Sequence, residues 1–126
     1  MNRVNRLRGG LMALLLLLSG GLSAGAQDAK VKQAATRAFN AAGALQNAGL
    51  YPRAAEKWKA FIGAYPKDMR LDRAHYYWGI CLLQTQKYSE AAQAFQTVIT
   101  RWPKFNGIDG VWFNLGMTHY ESAVVS

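Results

Sequence analysis

YPRAAEKWKAFIGAYP forms residues 51–66, and YSEAAQAFQTVITRWP forms residues 88–103. The two stretches begin 37 residues apart and share a tyrosine at the first position, an alanine pair at the fourth and fifth, and a proline at the last. The eighth position is aromatic in both, and the twelfth is isoleucine in both. Unrelated segments of this length match far less often, so the pattern indicates an internal repeat.

The same offset aligns residues beyond these two stretches. The matched pairs are Lys67 with Lys104, Asp72 with Asp109, and Gly79 with Gly116. The offset divides the chain into units at about 29–66 and 67–103 and an incomplete third unit at 104–126. A chain of 126 residues is long enough for one small domain, here about two and a half repeats.

The second helix of each unit is predicted from the quoted stretches. Apolar residues recur there at spacings of three and four, which gives each helix one apolar face. Pro66 and Pro103 are expected to end these helices, because the residue before a proline is disfavoured in the α region.

The first helix of each unit is predicted at about 29–48, 71–84 and 108–122. Gly49 is expected to end the first of these three helices. The other two are expected to be capped at their N-termini by the aspartates at 72 and 109.

Neighbouring hairpins are expected to bury their apolar faces against each other, because a two-helix unit cannot bury its own face alone. The sequence therefore predicts an all-α fold of stacked antiparallel helix hairpins. Small residues are expected where helices approach closely, and bulky residues are expected to fill the space beside them. The small residues are Ala54, Gly79, Ala91 and Gly116, and the bulky ones are Trp58, Trp78, Phe95 and Leu115.

Residues 1–26 are predicted to be a removable export signal. Three arginines lie among the first eight residues, residues 11–18 are an unbroken apolar run, and Ala-Gly-Ala at 24–26 is typical of a cleavage site. Cleavage before Gln27 leaves a domain at 27–126 that is periplasmic or secreted. The apolar run is shorter than the roughly 20 residues of a membrane-spanning helix. The alternative is an adaptor anchored by an uncleaved signal, and membrane contact is expected only in that case.

The third unit carries the pattern that identifies a family. Trp112, Leu115 and Gly116 fit the opening W-x2-L-G of the tetratricopeptide repeat (TPR), with His119 at the expected tyrosine and Tyr120 one step later. Gly79, Leu82, Ala91, Phe95 and Pro103 fall on family positions in the second unit, where His75 replaces the tryptophan. The chain thus resembles the TPR family over about residues 29–120, with a period of 37 where 34 is common.

The resemblance implies a TPR-like α-solenoid that binds a protein or peptide. An exported TPR chain with repeat ends such as YPKD and WPKF is also similar to Gram-negative envelope proteins, namely the periplasmic Tol-Pal coordinator and the outer-membrane assembly lipoproteins. The lipoproteins need a cysteine after the signal, and this chain has none there.

In TPR-like stacks the first helix of each pair lines a concave groove, and the resemblance places the groove positions of this chain. They form an aromatic row, one ring per unit, which suits peptide recognition because rigid rings supply contact area. The alternative is that these rings only pack between units. The predicted binding residues are Phe39, Arg73, Tyr76, Ile80, Leu83, Phe113, Met117 and Tyr120.

Catalytic, cofactor and metal sites are not predicted. The sequence contains no G-x-S-x-G, no H-E-x-x-H and no phosphate-binding glycine loop. His75 and His119 are too far apart along the chain to form a local metal pair. Cys81, the one cysteine, lies between apolar residues and is expected to be buried. We therefore expect a protein that is not an enzyme.

The net charge is +8, and the basic residues are scattered along the chain. This balance favours acidic partners or anionic surfaces. Nucleic acid is not expected, because the signal directs the chain out of the cytoplasm and no basic-aromatic nucleic-acid motif is present.

The last helix is apolar on the side where a terminal repeat is usually polar. Three interpretations remain open: the chain is a fragment of a longer array, the helix is a self-association face, or a partner supplies a missing helix. The leading functional hypothesis is a non-enzymatic exported TPR scaffold in an envelope complex. The alternative is an accessory or regulatory TPR segment of a longer enzyme or secretion component.

Overall fold

Residues 23–126 are described by the computed structural model, and over this range helices follow one another with no strand between them. The helices are α1 (Ala24–Asn47), α2 (Tyr51–Ala64), α3 (Leu71–Gln84), α4 (Tyr88–Arg101) and α5 (Ile108–Val125). Consecutive helices are joined by short turns and pack as hairpins against their neighbours. The all-α, TPR-like helical repeat fold predicted from the sequence is therefore confirmed.

The predicted export signal lies mostly outside the described residues, which begin at residue 23. The predicted cleavage positions 24–26 form the start of α1. The chain divides into one unit that ends at Ala34 and a second unit from Ala35 to Ser126. Within the first unit, the described side chains from residue 27 onwards are exposed. Of the described residues, 23–126, those that form the buried core lie in the second unit.

The predicted ends of α3 match the observed ones, α1 begins earlier and α5 ends later than predicted, and the predicted caps are wrong. The residues that precede the first turns of α3 and α5 are Arg70 and Gly107, and neither makes a side-chain capping bond. Asp72 and Asp109 lie inside the first turn of their helices, because both helices begin earlier than an aspartate cap requires. Negative charge in the first turn still stabilises a helix through its dipole.

Equivalent turns follow α1 and α3. Gly49 has φ of 75° and Gln86, at the same position of the next unit, has φ of 62°. Glycine adopts this left-handed conformation at no steric cost, whereas a residue with a Cβ does so at some expense. In both turns a backbone N–H reaches back to the helix, from Leu50 to the Leu45 carbonyl and from Lys87 to the Leu82 carbonyl. The expectation that Gly49 ends the first helix is confirmed.

The core runs through residues 35–126 as one continuous cluster. Each second helix contributes a fully buried aromatic ring, Trp58 from α2 and Phe95 from α4. Val111 and Leu115 of α5 bury against the same cluster. The Nε1–H of Trp58 donates to Oε1 of Gln46 at 2.8 Å, so its one polar group is satisfied inside the core.

Gly79 and Gly116 occupy the same position of successive units but have different surroundings. A Cβ on Gly79 would meet Phe95 Cε1 at 2.6 Å, so this glycine lets α3 and α4 approach. A Cβ on Gly116 would meet nothing within 4 Å, because none of the described helices covers that side of α5. The expected close approach is therefore found at the first glycine and not at the second. Trp78 also differs from expectation, since it is only half-buried.

Candidate protein-binding surface

The first helices of the three units lie side by side and form a surface that we call the α1–α3–α5 face. Two contacts hold it together. The guanidinium carbon of Arg73 lies 5.2 Å from the centroid of the Phe39 ring, which joins α3 to α1. The hydroxyl of Tyr76 would lie 2.6 Å from a Cβ on Gly110, which shows how closely α3 and α5 approach. These contacts join α1 to α3 at Phe39 and Arg73, and α3 to α5 at Tyr76 and Gly110.

Phe39 is the centre of an aromatic cluster at the α1 edge of the face. Its half-buried ring packs edge-on against Trp58 at 4.8 Å and against Phe61 at 5.5 Å between centroids. Two cations lie near it, since Arg70 and Arg73 each place a guanidinium carbon 5.2 Å from the ring centroid. Cation–π attraction of this kind fixes the arginines against the ring.

Arg70 is fixed further by an ion pair with Asp68. Its Nε donates to Oδ1 of Asp68 at 2.8 Å and its Nη2 to Oδ2 at 2.9 Å, and its Nη1 donates to Oγ1 of Thr36 at 3.0 Å. The hydrogen bond from Arg70 lowers the pKa of Asp68 and raises the pKa of Arg70. Arg70 was missed by the sequence analysis; its spacing of three residues from Arg73 was the available signal.

Tyr76 packs between units. Its half-buried ring lies 6.1 Å from the Phe95 ring and 5.8 Å from the Phe105 ring, and its hydroxyl accepts a hydrogen bond from Asn114 Nδ2 at 3.2 Å. Burial raises the pKa of the Tyr76 hydroxyl, and the hydrogen bond to Asn114 opposes that shift. The ring therefore positions α5 against α3, and only part of it is available to a ligand.

The other predicted residues differ in how much they are exposed. Ile80, Leu83 and Met117 are half-buried, and the first two pack against the core. Phe113 and Tyr120 expose 68% and 63% of their surface, which leaves two large rings uncovered on α5. Apolar side chains that are exposed together mark interaction surfaces in soluble proteins. The face thus combines arginines at the α1–α3 edge with apolar side chains towards α5.

Within residues 35–126, a cleft of about 460 Å³ lies on a different side from the α1–α3–α5 face. It is bounded by the N-terminal half of α2, the C-terminal half of α3 and the start of α4, with Trp78 and Leu82 among its lining residues. Its charged lining residues are two lysines and two glutamates, so it presents no preference for one sign of charge. This cleft was not predicted from the sequence, because its shape depends on how α2, α3 and α4 pack against one another.

Two further groups with altered pKa values, His75 and Cys81, lie in the core. Burial, together with the nearby Arg101 guanidinium, lowers the pKa of His75, and its Nδ1 has no hydrogen-bond partner among the described residues. Burial raises the pKa of the Cys81 thiol to about 12. The thiol is therefore not poised for reaction, since a reactive thiol needs a lowered pKa and access to solvent.

Metal-binding clusters and membrane-spanning helices are both absent from residues 23–126. This part of the chain contains no group of three or more His, Cys, Asp or Glu side chains placed to hold a metal ion. Over the same range, no helix has the length and apolar character needed to cross a bilayer.

Comparison with known proteins gives one family match. The model described as Tetratricopeptide repeat matches residues 73–104, which comprise almost all of α3, all of α4 and the turn between them. No curated protein matches this chain. TPR repeats are typically non-catalytic modules of protein interaction, and the matched segment contains the packing of α3 against α4 through Gly79 and Phe95. The match therefore supports a TPR protein.

Proposed function

We propose that this chain is a non-enzymatic, exported TPR scaffold that binds a protein or peptide partner on the α1–α3–α5 face, within a bacterial envelope complex. One observation supports the proposal: Arg73 of α3 lies against the Phe39 ring of α1, while Phe113 and Tyr120 of α5 leave two large rings exposed. The leader-like sequence of residues 1–26 supports export.

The chemistry of this face favours a peptide that is both apolar and acidic. Arg73 is exposed, and its guanidinium lies over Phe39, where the ring holds it in place. Ile80 and Met117 occupy equivalent positions on α3 and α5 and offer apolar contacts, of which the methionine is the flexible one. A partner with apolar side chains along its length and a carboxylate near Arg73 would match this arrangement.

The binding test replaces exposed or half-buried residues of the face without disturbing the core. Arg73→Glu combined with Met117→Ser is compared with the wild type in affinity purification from envelope extracts. The matched control, Lys57→Glu combined with Gln93→Ser, changes exposed residues of α2 and α4. We expect the same partners with the wild type and the control and their loss with the Arg73 and Met117 variant. Equal recovery by all three proteins, with helical circular dichroism intact, would contradict the proposed face.

Export is tested separately by mass spectrometry of the protein recovered from the periplasm and the medium. A mature N-terminus at Gln27 supports a cleaved signal. A chain that retains residue 1 in the membrane fraction would instead support the anchored adaptor, and a chain found only in the cytoplasm would contradict export.

A further inference from the structure

The cleft between α2 and α4 has the size of a small-molecule site. These two helices each pack against α3 and have no comparable interface with each other, so a space of about 460 Å³ remains between them. Its lining residues lie between positions 52 and 90 of the chain. Proteins hold small molecules in pockets of about 300–1,000 Å³, and the cleft falls within that range.

The floor of the cleft is apolar and belongs to the core. Ala55 of α2 and Leu82 of α3 are buried and line it. Trp78 lines it as well, and its half-buried ring lies edge-on to the His75 ring, 6.2 Å away between centroids. The indole N–H of Trp78 has no hydrogen-bond partner among the described residues and is not fully buried. A ligand would therefore find a fixed aromatic surface and an unused donor.

Four charged side chains line the same cleft, and each wall has one of either sign. Helix α2 contributes Glu56 and Lys59, and the start of α4 with the residue before it contributes Glu90 and Lys87. All four side chains are exposed, and none of them has an ion-pair or hydrogen-bond partner among residues 23–126. The cleft thus offers two carboxylates and two ammonium groups that can contact a ligand.

This balance of charge limits the class of ligand that fits. A polyanion would meet the two carboxylates, and a polycation would meet the two ammonium groups, so each would be repelled by one pair of side chains. A molecule with one charge of each sign can pair with both kinds of side chain. The apolar floor adds that such a molecule should also carry an apolar or aromatic group.

We propose that the cleft between α2 and α4 binds a small zwitterion with an apolar side chain, namely a short peptide or a free amino acid. Its ammonium group pairs with the glutamates at 56 and 90. Its carboxylate pairs with the lysines at 59 and 87, and its side chain packs on Trp78. This site goes beyond the proposed scaffold function and uses none of the residues named for the α1–α3–α5 face.

The test titrates the full chain with the dipeptide alanyl-phenylalanine, which has both charged termini and an aromatic side chain. Binding is followed by NMR of the tryptophan indole N–H groups. The chain has four tryptophans, so Trp78→Phe identifies the signal that comes from the cleft. Free phenylalanine and the dipeptide with its N-terminus acetylated and its C-terminus amidated are titrated in parallel.

The contribution of the ammonium groups is measured with Lys59→Gln combined with Lys87→Gln. The matched control is Lys57→Gln combined with Lys104→Gln, which removes two exposed lysines that do not line the cleft. Both double variants lower the net charge by the same amount, so a difference between them reports on the cleft.

The contribution of the carboxylates is measured with Glu56→Gln combined with Glu90→Gln. The matched control is Asp28→Asn combined with Asp109→Asn, at two exposed positions outside the cleft. Glu90 and Asp109 each lie in the first turn of a helix, so loss of the favourable interaction with the helix dipole is matched as well. Circular dichroism checks that all variants remain helical.

We expect a saturable shift of the Trp78 signal with the dipeptide, and binding weaker by about tenfold or more for the blocked dipeptide and for both cleft variants. Both controls are expected to bind as the wild type does. Free phenylalanine that binds at least as tightly as the dipeptide would assign the site to amino acids, and weaker binding would assign it to peptides.

Three results would overturn the proposal. They are no shift of the Trp78 signal at about 10 mM dipeptide, equal binding of the free and blocked dipeptides, and equal binding to the cleft variants and their controls. The Arg73 and Met117 variant is expected to bind the dipeptide as the wild type does. Loss of partner recovery with that variant therefore leaves this result unchanged, and the two proposals fail separately.

Discussion

Phe95 of α4 packs its ring onto Gly79 of α3, and a Cβ on that glycine would come within 2.6 Å of Cε1 and 2.8 Å of Cδ1. The ring is fully buried and has no free direction in which to move. The contact lies inside the segment that matches the tetratricopeptide repeat, and it joins the two helices of that repeat.

We predict that Gly79→Ala lowers the free energy of unfolding by about 1–3 kcal/mol, because overpacking a filled core forces the helices apart. The measurement is urea unfolding followed by circular dichroism. The matched control is Gly116→Ala, which is expected to raise the free energy of unfolding by up to about 1 kcal/mol, since alanine favours the helix and meets no neighbour. We therefore expect the free energy of unfolding to fall in Gly79→Ala and to rise in Gly116→Ala. Equal changes in the two variants would contradict this prediction.

Tyr76 and Gly110 provide a second close contact, between α3 and α5. We predict that Gly110→Ala is destabilising by about 1 kcal/mol, because its Cβ would come within 2.6 Å of the Tyr76 hydroxyl. In a Tyr76→Phe background the nearest atom becomes Cζ at 3.5 Å, an ordinary contact, so the cost is expected to disappear. A double-mutant cycle measures this coupling. Additive effects of the two substitutions would show that the hydroxyl and the Cβ do not meet.

His75 is expected to make stability depend on pH. Because its pKa in the folded state is lowered, the unfolded chain binds a proton more readily, and the free energy of unfolding falls as pH drops below the ordinary histidine value of 6.5. The slope for one group is at most about 1.4 kcal/mol per pH unit.

Urea unfolding of the wild type and of His75→Phe at pH 7.5 and pH 5.5 checks this dependence. The variant keeps an aromatic ring beside Trp78 and Trp102 and is expected to lose part of the pH dependence. His119→Gln controls for the loss of an exposed histidine. The same pH dependence in His75→Phe as in the wild type would show that other groups cause it.

Cys81 is expected to resist thiol reagents in the folded protein. Its thiol is fully buried, and a pKa of about 12 in place of 9.0 reduces the thiolate fraction at pH 8 by roughly a thousandfold. The rate of reaction with a disulfide reagent, compared between native buffer and 6 M urea, tests this. A native rate within tenfold of the rate in urea would contradict the buried position of the sulfur.

Repetition made the helices of this fold predictable. The predicted bounds of α3 match the observed ones. Pro66 ends the preceding repeated stretch, and the 37-residue offset places the start of the next one at Tyr88, so α3 must lie between them. The bounds of α1 and α5 were less well predicted. Helix α1 begins at Ala24, before the predicted start and in spite of Gly25, and α5 continues to Val125, where no proline or glycine interrupts it. The predicted caps at Asp72 and Asp109 are wrong. An aspartate just before a helix and an aspartate inside its first turn occur in the same local sequence pattern, so the sequence alone does not distinguish the two positions.

The candidate site was predictable only in part. Helical spacing placed the predicted binding residues on one face, but it did not show how deeply each of them would be buried. The position of Tyr76 depends on Gly110 and Asn114 in the next unit, and the arrangement around Phe39 depends on Arg70, which lies far along the chain. Such contacts follow from how units stack, which a single sequence does not specify.

Each packed helix of residues 35–126 contacts helices that are next or next but one along the chain. Contacts of such short sequence separation are typical of proteins that fold quickly, because little chain must be closed before a contact forms. They also allow a stack to lose order from one end while the remainder keeps its structure. The rate of amide hydrogen exchange should therefore decrease gradually from α5 to α3. A single uniform rate for the whole domain is not expected.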